Sequence, residues 1–190
     1  MHSSNMKTKP ALFVWASALA LSTLLFTAGR LEASHRWYCW KYANSSINFY
    51  NGAVNGTKAY RDAFTQEAQT DSNSWHNGTE INLTSVGSAG TTDHCNCYSG
   101  SYGFNGWLGI AEIRSYSGCT VREGRARLNA SYLNSGSYGQ TNDKHVACQE
   151  VGHLWGLNHN RSSTTTCMND TILYAPQINS HDISMVNSIY

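Results

Sequence analysis

Apolar side chains recur along the chain at two periods, and each period predicts its own kind of element. Short apolar or alternating runs predict strands over residues 47–50, 80–85, 107–116 and 121–129. A period near 3.6 predicts a helix over residues 53–68 and a second one that carries Ala147, Val151 and Leu154 on its apolar face. The pattern therefore predicts an α+β domain with a twisted mixed sheet and two long helices.

The second helix has recognisable ends. Thr141, Asn142 or Asp143 can cap its start, because their side-chain oxygens accept hydrogen bonds from the free N–H groups of a first turn. Gly156 can end it, since glycine adopts the left-handed backbone conformation that stops many helices. A short C-terminal part follows and closes with an amphipathic segment that begins at Ser180.

The first 33 residues differ from the rest of the chain. Two lysines precede an almost wholly apolar run over residues 11–28, and small residues around Gly29 and Ala33 offer cleavage points. This order is typical of a secretory signal peptide, so we expect residues 1–33 to be removed and the protein to be secreted. An uncleaved membrane anchor is the alternative, because the run is as long as a short membrane span. Residues 34–190 are one domain's worth of chain.

The composition limits the classes of binding partner and indicates the cellular compartment. Thirteen basic and twelve acidic residues leave the chain nearly neutral, which gives no electrostatic basis for binding nucleic acid or an anionic membrane surface. All six cysteines follow the signal segment, as expected of an oxidising compartment. Residues 91–97, which include His94, predict a loop pinned by disulfides; a zinc site built on Cys95 and Cys97 is disfavoured by their short spacing.

The most specific chemistry lies on the second helix and just beyond it. Gln149 and His153 share a helix face, Glu150 lies beside them, and a turn at Gly156 returns His159 to the same place. The set reproduces His-Glu-x-x-His-x-x-Gly-x-x-His, except that Gln149 replaces the first His. An ordinary amphipathic helix explains the apolar positions but not these offsets. The pattern predicts zinc held by Gln149, His153 and His159, with Glu150 as general base.

This motif resembles that of the metzincin zinc peptidases, and Met168 stands where that clan has a Met-containing turn beneath the metal. The likeness covers roughly residues 100–190 and extends to matrixin-like secreted enzymes, including a branch with Cys-Gln-Glu-x-Gly-His. It implies a zincin-like fold with a long active-site helix, a Met-turn and a C-terminal helix. It also implies a substrate-binding edge strand, for which plain sheet residues are the alternative, at Gly106, Trp107, Leu108, Gly109, Ile110 and Ala111.

The resemblance also bears on the cysteines and on Asp170. Cys148 adjoins Gln149 and Cys167 precedes Met168, so a bridge between them would staple the helix to the turn, contributing about 3 kcal/mol. Two more bridges are expected among the other four cysteines, Cys39, Cys95, Cys97 and Cys119. Asp170 stands where many relatives have Tyr, so a Tyr ligand or oxyanion donor does not carry over, and Tyr174 is only a loose substitute.

Gln149 leaves the activity open. Its neutral carbonyl oxygen is a weaker zinc donor than imidazole, so it ligates weakly, yields its place to a second water, or leaves the site unable to act. His145 is a poor replacement, because it lies two helical turns before His153, about 12 Å along the axis. It is better interpreted as a polar residue near the helix start.

The leading interpretation is a secreted, monomeric zinc metalloendopeptidase that acts on a peptide or protein substrate. One alternative is a catalytically silent metzincin-like binding or effector protein: Glu150 argues against it and Gln149 for it. The other is a disulfide-rich carbohydrate- or surface-binding domain, which is supported only by an aromatic content of 12%. Core packing explains those aromatic residues at least as well.

Overall fold

The structure is a computed structural model that describes residues 35–171 and 173–190. The predicted signal segment, residues 1–33, lies outside the described residues. In the described part, strands and helices alternate along the chain around one mixed sheet. This mixed composition is compatible with the predicted α+β class.

In the described part of the chain, six strands form the sheet: β1 (Lys41–Tyr42), β2 (Ser46–Asn51), β3 (Asn82–Ser85), β4 (His94–Gly100), β5 (Gly109–Ser117) and β6 (Thr120–Asn129). Most of them are parallel. β3, β2, β4 and β6 are parallel neighbours in that order, β1 pairs in parallel with the start of β6, and β5 runs antiparallel along the other side of β6. Among the described strands, β5 pairs with β6 alone, which leaves its other side as an edge.

The four predicted strands are confirmed within about two residues at each end. The predicted loop over residues 91–97 is wrong, because β4 occupies most of it in the middle of the sheet. Cys95, Asn96 and Cys97 are all buried there, but the segment lacks the run of Val, Ile and Leu that usually marks a parallel strand covered on both faces. Asn96 is satisfied inside, where its amide donates to the Gly90 carbonyl at 2.9 Å.

Two disulfides are present among the described residues. Cys148 and Cys167 are bridged, which confirms that pairing. Cys39 is bridged to Cys119, whereas Cys95 and Cys97 are free thiols with their sulfurs 3.9 Å apart. The expectation of a third bridge is therefore wrong. Alternate residues of one strand have Cα atoms about 6.6 Å apart, near the upper limit of disulfide geometry.

Five α-helices and one π-helical turn accompany the sheet in the described chain: α1 (Tyr60–Thr65), the π-helical turn (Gln66–Thr70), α2 (Trp75–Gly78), α3 (Ala130–Leu133), α4 (Gln140–Leu154) and α5 (Ser180–Ile189). The helix predicted over residues 53–68 begins seven residues late. Asn55 explains the delay, because its side-chain oxygen accepts the Arg61 N–H at 2.9 Å and so serves the first turn of α1. Within the described residues, no helix combines the length and the apolar character that crossing a bilayer requires.

Helix α4 begins slightly earlier than predicted and ends as predicted. Its N-cap is Gly139, and Asn142 accepts a hydrogen bond from the Gly139 N–H at 2.7 Å, so the predicted cap residues lie inside the first turn. Gly156 has a φ of +92° just past the end. The Gly156 N–H bonds to the His153 carbonyl at 2.9 Å and the Leu157 N–H to the Gly152 carbonyl at 3.3 Å. These two bonds form a Schellman motif, which reverses the chain.

Helix α4 packs across β5 and β6 and against α1. Its buried side also contacts the turn around Met168. Gly152 is the point of closest approach: a Cβ there would lie 2.5 Å from Met168 Sδ and 2.6 Å from Trp75 Cζ2. The Trp75 ring cannot easily yield, because its Nε1 donates to the Cys148 carbonyl at 2.9 Å. Glycine at position 152 thus sets the distance between α4 and its support.

We expect Gly152→Ala to destabilise the protein by up to about 2 kcal/mol. Overpacking costs about 1–3 kcal/mol, and the better helix propensity of alanine returns about 1 kcal/mol. Urea unfolding of the purified protein measures the change. Gly136→Ala is the control, because a Cβ at Gly136 meets no atom within 4 Å. Stability of Gly152→Ala equal to or above that of wild type would contradict this packing.

Candidate metal centre

Two histidines converge at the end of α4. His153 lies on the last turn of the helix, and the reversal at Gly156 carries the chain back so that His159 meets it. Their Nε2 atoms are 3.1 Å apart and their ring centroids 4.7 Å. His153 is buried and His159 is half-buried. The predicted pair is therefore brought together.

The proton on His153 can be assigned from its other ring nitrogen. Nδ1 lies 2.8 Å from the Leu157 carbonyl oxygen, which can only accept, so Nδ1 carries the hydrogen. Burial lowers the pKa of His153 to about 4, so the imidazole is neutral at neutral pH. Its Nε2 therefore presents a bare lone pair toward His159.

His159 is arranged in the same way through a carboxylate. Its Nδ1 lies 3.2 Å from Asp170 Oδ2, and burial lowers the pKa of the ring. Arg161 holds Asp170 in turn, with Nε 2.7 Å from Oδ1, and this hydrogen bond lowers the pKa of the carboxyl. An ionised Asp170 keeps the hydrogen on Nδ1 of His159. The lone pair of His159 Nε2 then faces that of His153.

Two facing lone pairs at this distance repel each other unless a cation lies between them. Zinc–nitrogen bonds of 2.0–2.1 Å at a tetrahedral angle place two nitrogens about 3.3 Å apart, close to the spacing here. Outer hydrogen bonds from Nδ1 to a carbonyl and to a carboxylate are also the usual partners of metal-binding histidines. His153 and His159 therefore fit a shared metal ion.

Gln149 lies one helical turn before His153 and is buried. Its amide nitrogen donates to the Cys167 carbonyl at 3.0 Å, so its carbonyl oxygen is the end left for another partner. Gln149 lines one cavity together with His159 and Glu150. In the described part of the chain, no three His, Cys, Asp or Glu side chains form a cluster that could hold a metal. The Gln149 amide, which shares a cavity with His159, is the candidate for a third protein ligand.

Glu150 lies against the start of β5. Burial raises the pKa of its carboxyl to about 8, and a hydrogen bond from the Ala111 N–H opposes that rise. Gly109 lies so close that a Cβ there would overlap Val146 and come within 2.8 Å of Glu150 Oε1. A carboxyl whose pKa lies near neutrality is suited to take up and release a proton.

Two cavities meet at these residues. The first has a volume of about 260 Å³ and the second about 290 Å³, and both are lined by Gly109, Glu150 and His159. The first is completed by Trp37, Ile110, Ala111, His153 and Asn158. The second is completed by Gly106, Trp107, Leu108, Val146, Gln149, Asp170 and Leu173. All six residues predicted for the edge strand thus line a cavity, although only Gly109, Ile110 and Ala111 belong to β5.

The loop that leads into β5 is held by one buried amide that the sequence did not single out. Asn129 donates from its side chain to the carbonyls of Gly103 at 2.8 Å and Trp107 at 3.2 Å, and it accepts the Tyr102 N–H at 3.2 Å. The Tyr132 hydroxyl accepts the Gly106 N–H at 2.7 Å. These bonds fix the wall of the second cavity. Asparagine within an Asn-Ala-Ser stretch carries no signal for this role.

Met168 and His145 support the site from below. Met168 is fully buried and lies against Gly152. His145 is not near the other histidines: its ring nitrogens face the carbonyls of Ala175 at 2.7 Å and Asn169 at 3.0 Å. It is fully buried and ties α4 to the segment after Met168, which is a larger role than that of a polar residue near a helix start.

Besides Asn129, three further contributors to the site were not predicted from the sequence. Asp170 had been noted only for what it replaces, whereas Trp37 and Asn158 carried no recognisable signal at all. Comparison with known proteins supplies no further assignment, since no model of a protein family and no curated protein matches this chain. The interpretation of the site therefore rests on its own geometry.

We expect Asp170→Asn to weaken zinc binding by about 10–100-fold, because the substitution removes the charge that orients His159 and keeps the side-chain shape. Competition with a chromophoric chelator measures the affinity. Asp62→Asn, at an exposed carboxylate on α1, serves as the control and should bind zinc like wild type. Equal affinity of Asp170→Asn and wild type would show that the carboxylate has no such role.

Proposed function

We propose that this protein is a secreted zinc metalloendopeptidase of the metzincin type, resembling the matrixin-like branch with Gln-Glu-x-x-His. The observation that carries the proposal is the convergence of two bare imidazole nitrogens, 3.1 Å apart, beside a buried carboxyl under the edge of a sheet. Histidine pairs with this outer hydrogen bonding are typical of metal sites. In this proposal His153, His159 and the Gln149 carbonyl oxygen hold Zn²⁺, and the protein acts as a monomer.

The chain's own residues account for substrate binding. The Ala111 N–H bonds to Glu150 rather than to β6, so alternate main-chain groups of β5 face away from β6. The groups on this free side that Glu150 does not use are open to a substrate. A peptide in extended conformation can add to that edge as a further strand. Its scissile bond then lies at Glu150, where the two cavities meet, and its side chains enter the cavities on either side.

Glu150 is the group that moves the proton. When bound, zinc polarises the scissile carbonyl and lowers the pKa of a water molecule to about 7. The Glu150 carboxylate accepts the proton that this water gives up as its oxygen attacks the carbonyl carbon. Glu150 then delivers that proton to the leaving nitrogen as the C–N bond breaks. Burial raises the pKa of Glu150 to about 8, so the carboxyl can hold the proton between the two steps and give it up again.

One observation favours a second candidate function. The Gln149 amide is held by the Cys167 carbonyl and offers only a neutral oxygen, a weaker donor for zinc than imidazole. A protein that binds zinc too weakly for turnover would keep the fold and the cleft and act as an exported binding or effector protein. The two candidates differ in one measurable property, the zinc content of the purified protein.

We expect wild type to hold about one zinc per chain and to cleave peptides, and Glu150→Ala to keep the zinc and lose cleavage by about 100-fold or more. Elemental analysis and a random peptide library measure the two properties. Glu80→Ala, at an exposed carboxylate before β3, is the control and should cleave like wild type. Gln149→His should raise zinc affinity, because imidazole is the stronger donor.

The outcomes separate the candidates. Wild type without zinc or cleavage, with both restored in Gln149→His, would establish the catalytically silent protein. Failure of both proteins to bind zinc would overturn the metal site itself. Zinc binding with cleavage that survives in Glu150→Ala would remove Glu150 from the reaction.

A further inference from the structure

The segment that precedes β1, residues 35–40, runs along the turn that ends α4. The Trp37 N–H donates to the Gly156 carbonyl at 2.7 Å, and the Asn158 N–H donates to the His35 carbonyl at 2.6 Å. Arg36 and Leu157 form an antiparallel bridge between these two bonds. The segment is therefore paired by its main chain with the residues that link His153 to His159.

The other end of the segment is tied to the sheet. Cys39 is bridged to Cys119 in the turn between β5 and β6, and the Trp40 ring packs on Tyr116 with centroids 4.9 Å apart. Tyr38, between these anchors, has a φ of +55°, a conformation that costs a non-glycine residue about 1–3 kcal/mol. The contacts on both sides hold the segment in this conformation, so the position of Trp37 is well determined.

From this position the Trp37 side chain extends into the first cavity. Its ring lies 5.6 Å from the His153 ring between centroids, and it lines the first cavity opposite Ile110 and Ala111. The side chain is partly exposed rather than buried in the core. Apart from Glu150 and the two histidines, the residues that line this cavity carry no ionisable side chain. An uncharged group bound there loses little hydration, whereas a charged group would lose much.

The direction of β5 indicates which part of a substrate meets Trp37. The second cavity lies at Gly106 to Gly109 and the first at Gly109 to Ala111, so the first lies further along the chain. In the proposed complex the peptide pairs antiparallel with β5, as β6 does on the other side of the strand, and so it runs the opposite way. Its residues before the scissile bond then lie in the first cavity, and those after it in the second.

We propose that Trp37 is a specificity-determining residue of the cleft, whose indole forms an apolar wall that selects an apolar side chain immediately before the scissile bond. The inference rests on the proposed peptidase function. In it the N-terminal segment, anchored by Gly156 and by the Cys39–Cys119 bridge, is part of the substrate site. A purely structural role of Trp37 would change stability but leave the relative preference among substrates unaltered.

The test compares full-length secreted wild type with Trp37→Ala, Trp37→Phe and Tyr38→Ala, each loaded with zinc, on a library of random hexapeptides. Mass spectrometry of the products reads the residue before each cleaved bond. Wild type should favour Leu over Glu and Lys at this position. Trp37→Ala should reduce that preference by about 10-fold or more, the range that differences in an apolar pocket produce. Trp37→Phe should keep most of it, since an aromatic face remains.

Tyr38→Ala is the matched control, because Tyr38 adjoins Trp37 but is 77% exposed and does not line the cavity. It should keep the wild-type preference. A wild-type preference for Lys or Glu, or an apolar preference that survives in Trp37→Ala, would overturn the inference while leaving the peptidase function in place.

A second arm does not depend on turnover. Glu150→Ala, with and without Trp37→Ala, is used to capture peptides from the same library, and the bound peptides are sequenced. If wild type cleaves nothing, the peptidase proposal fails, and this arm decides the role of Trp37 alone. Enrichment of apolar peptides that disappears with Trp37→Ala would keep Trp37 as a binding determinant, whereas equal capture by both proteins would overturn it.

Discussion

The reversal of the chain at Gly156 is the constraint on which the rest of the site depends. A φ of +92° is cheap only for glycine, and a Cβ at this position would also overlap the Trp40 carbonyl oxygen. One residue therefore ends α4, returns His159 to His153 and leaves room for the N-terminal segment. The histidine pair and the first cavity are two consequences of the same turn.

Around this turn, burial and hydrogen bonding set the protonation states of the side chains and the orientation of His159. Burial lowers the pKa of His153 and raises that of Glu150, so the imidazole is neutral and the carboxyl can exchange a proton near neutral pH. Asp170 and Arg161 form a charged pair that holds His159 from outside. Asp170 thus has a physical role in the site, as a hydrogen-bond partner of His159.

The errors in the sequence interpretation have identifiable causes. Strand β4 was missed because it lacks the Val-, Ile- and Leu-rich run typical of a parallel strand buried on both faces, and its Cys95, Asn96 and Cys97 resemble a loop composition. The first helix was predicted to begin too early. Asn55, which lies outside the helix, accepts hydrogen bonds from the N–H groups of Arg61 and Asp62 and so caps its first turn from a distance. Both features depend on contacts that no local pattern records.

The sequence by itself determined the parts of the site that follow from local periodicity. Gln149, Glu150 and His153 share one side of α4 because a helix repeats every 3.6 residues, and Gly156 marks the helix end because glycine alone is unstrained there. The Cys148–Cys167 bridge was predicted from the resemblance, which places a Met-containing turn beneath the helix, and the structure confirms it. Only the tertiary structure decided which distant residues join them. Asp170 behind His159, Asn129 under the loop into β5 and Trp37 across the cleft are brought in by packing between separate elements, and the spacing of residues along a chain does not encode such contacts.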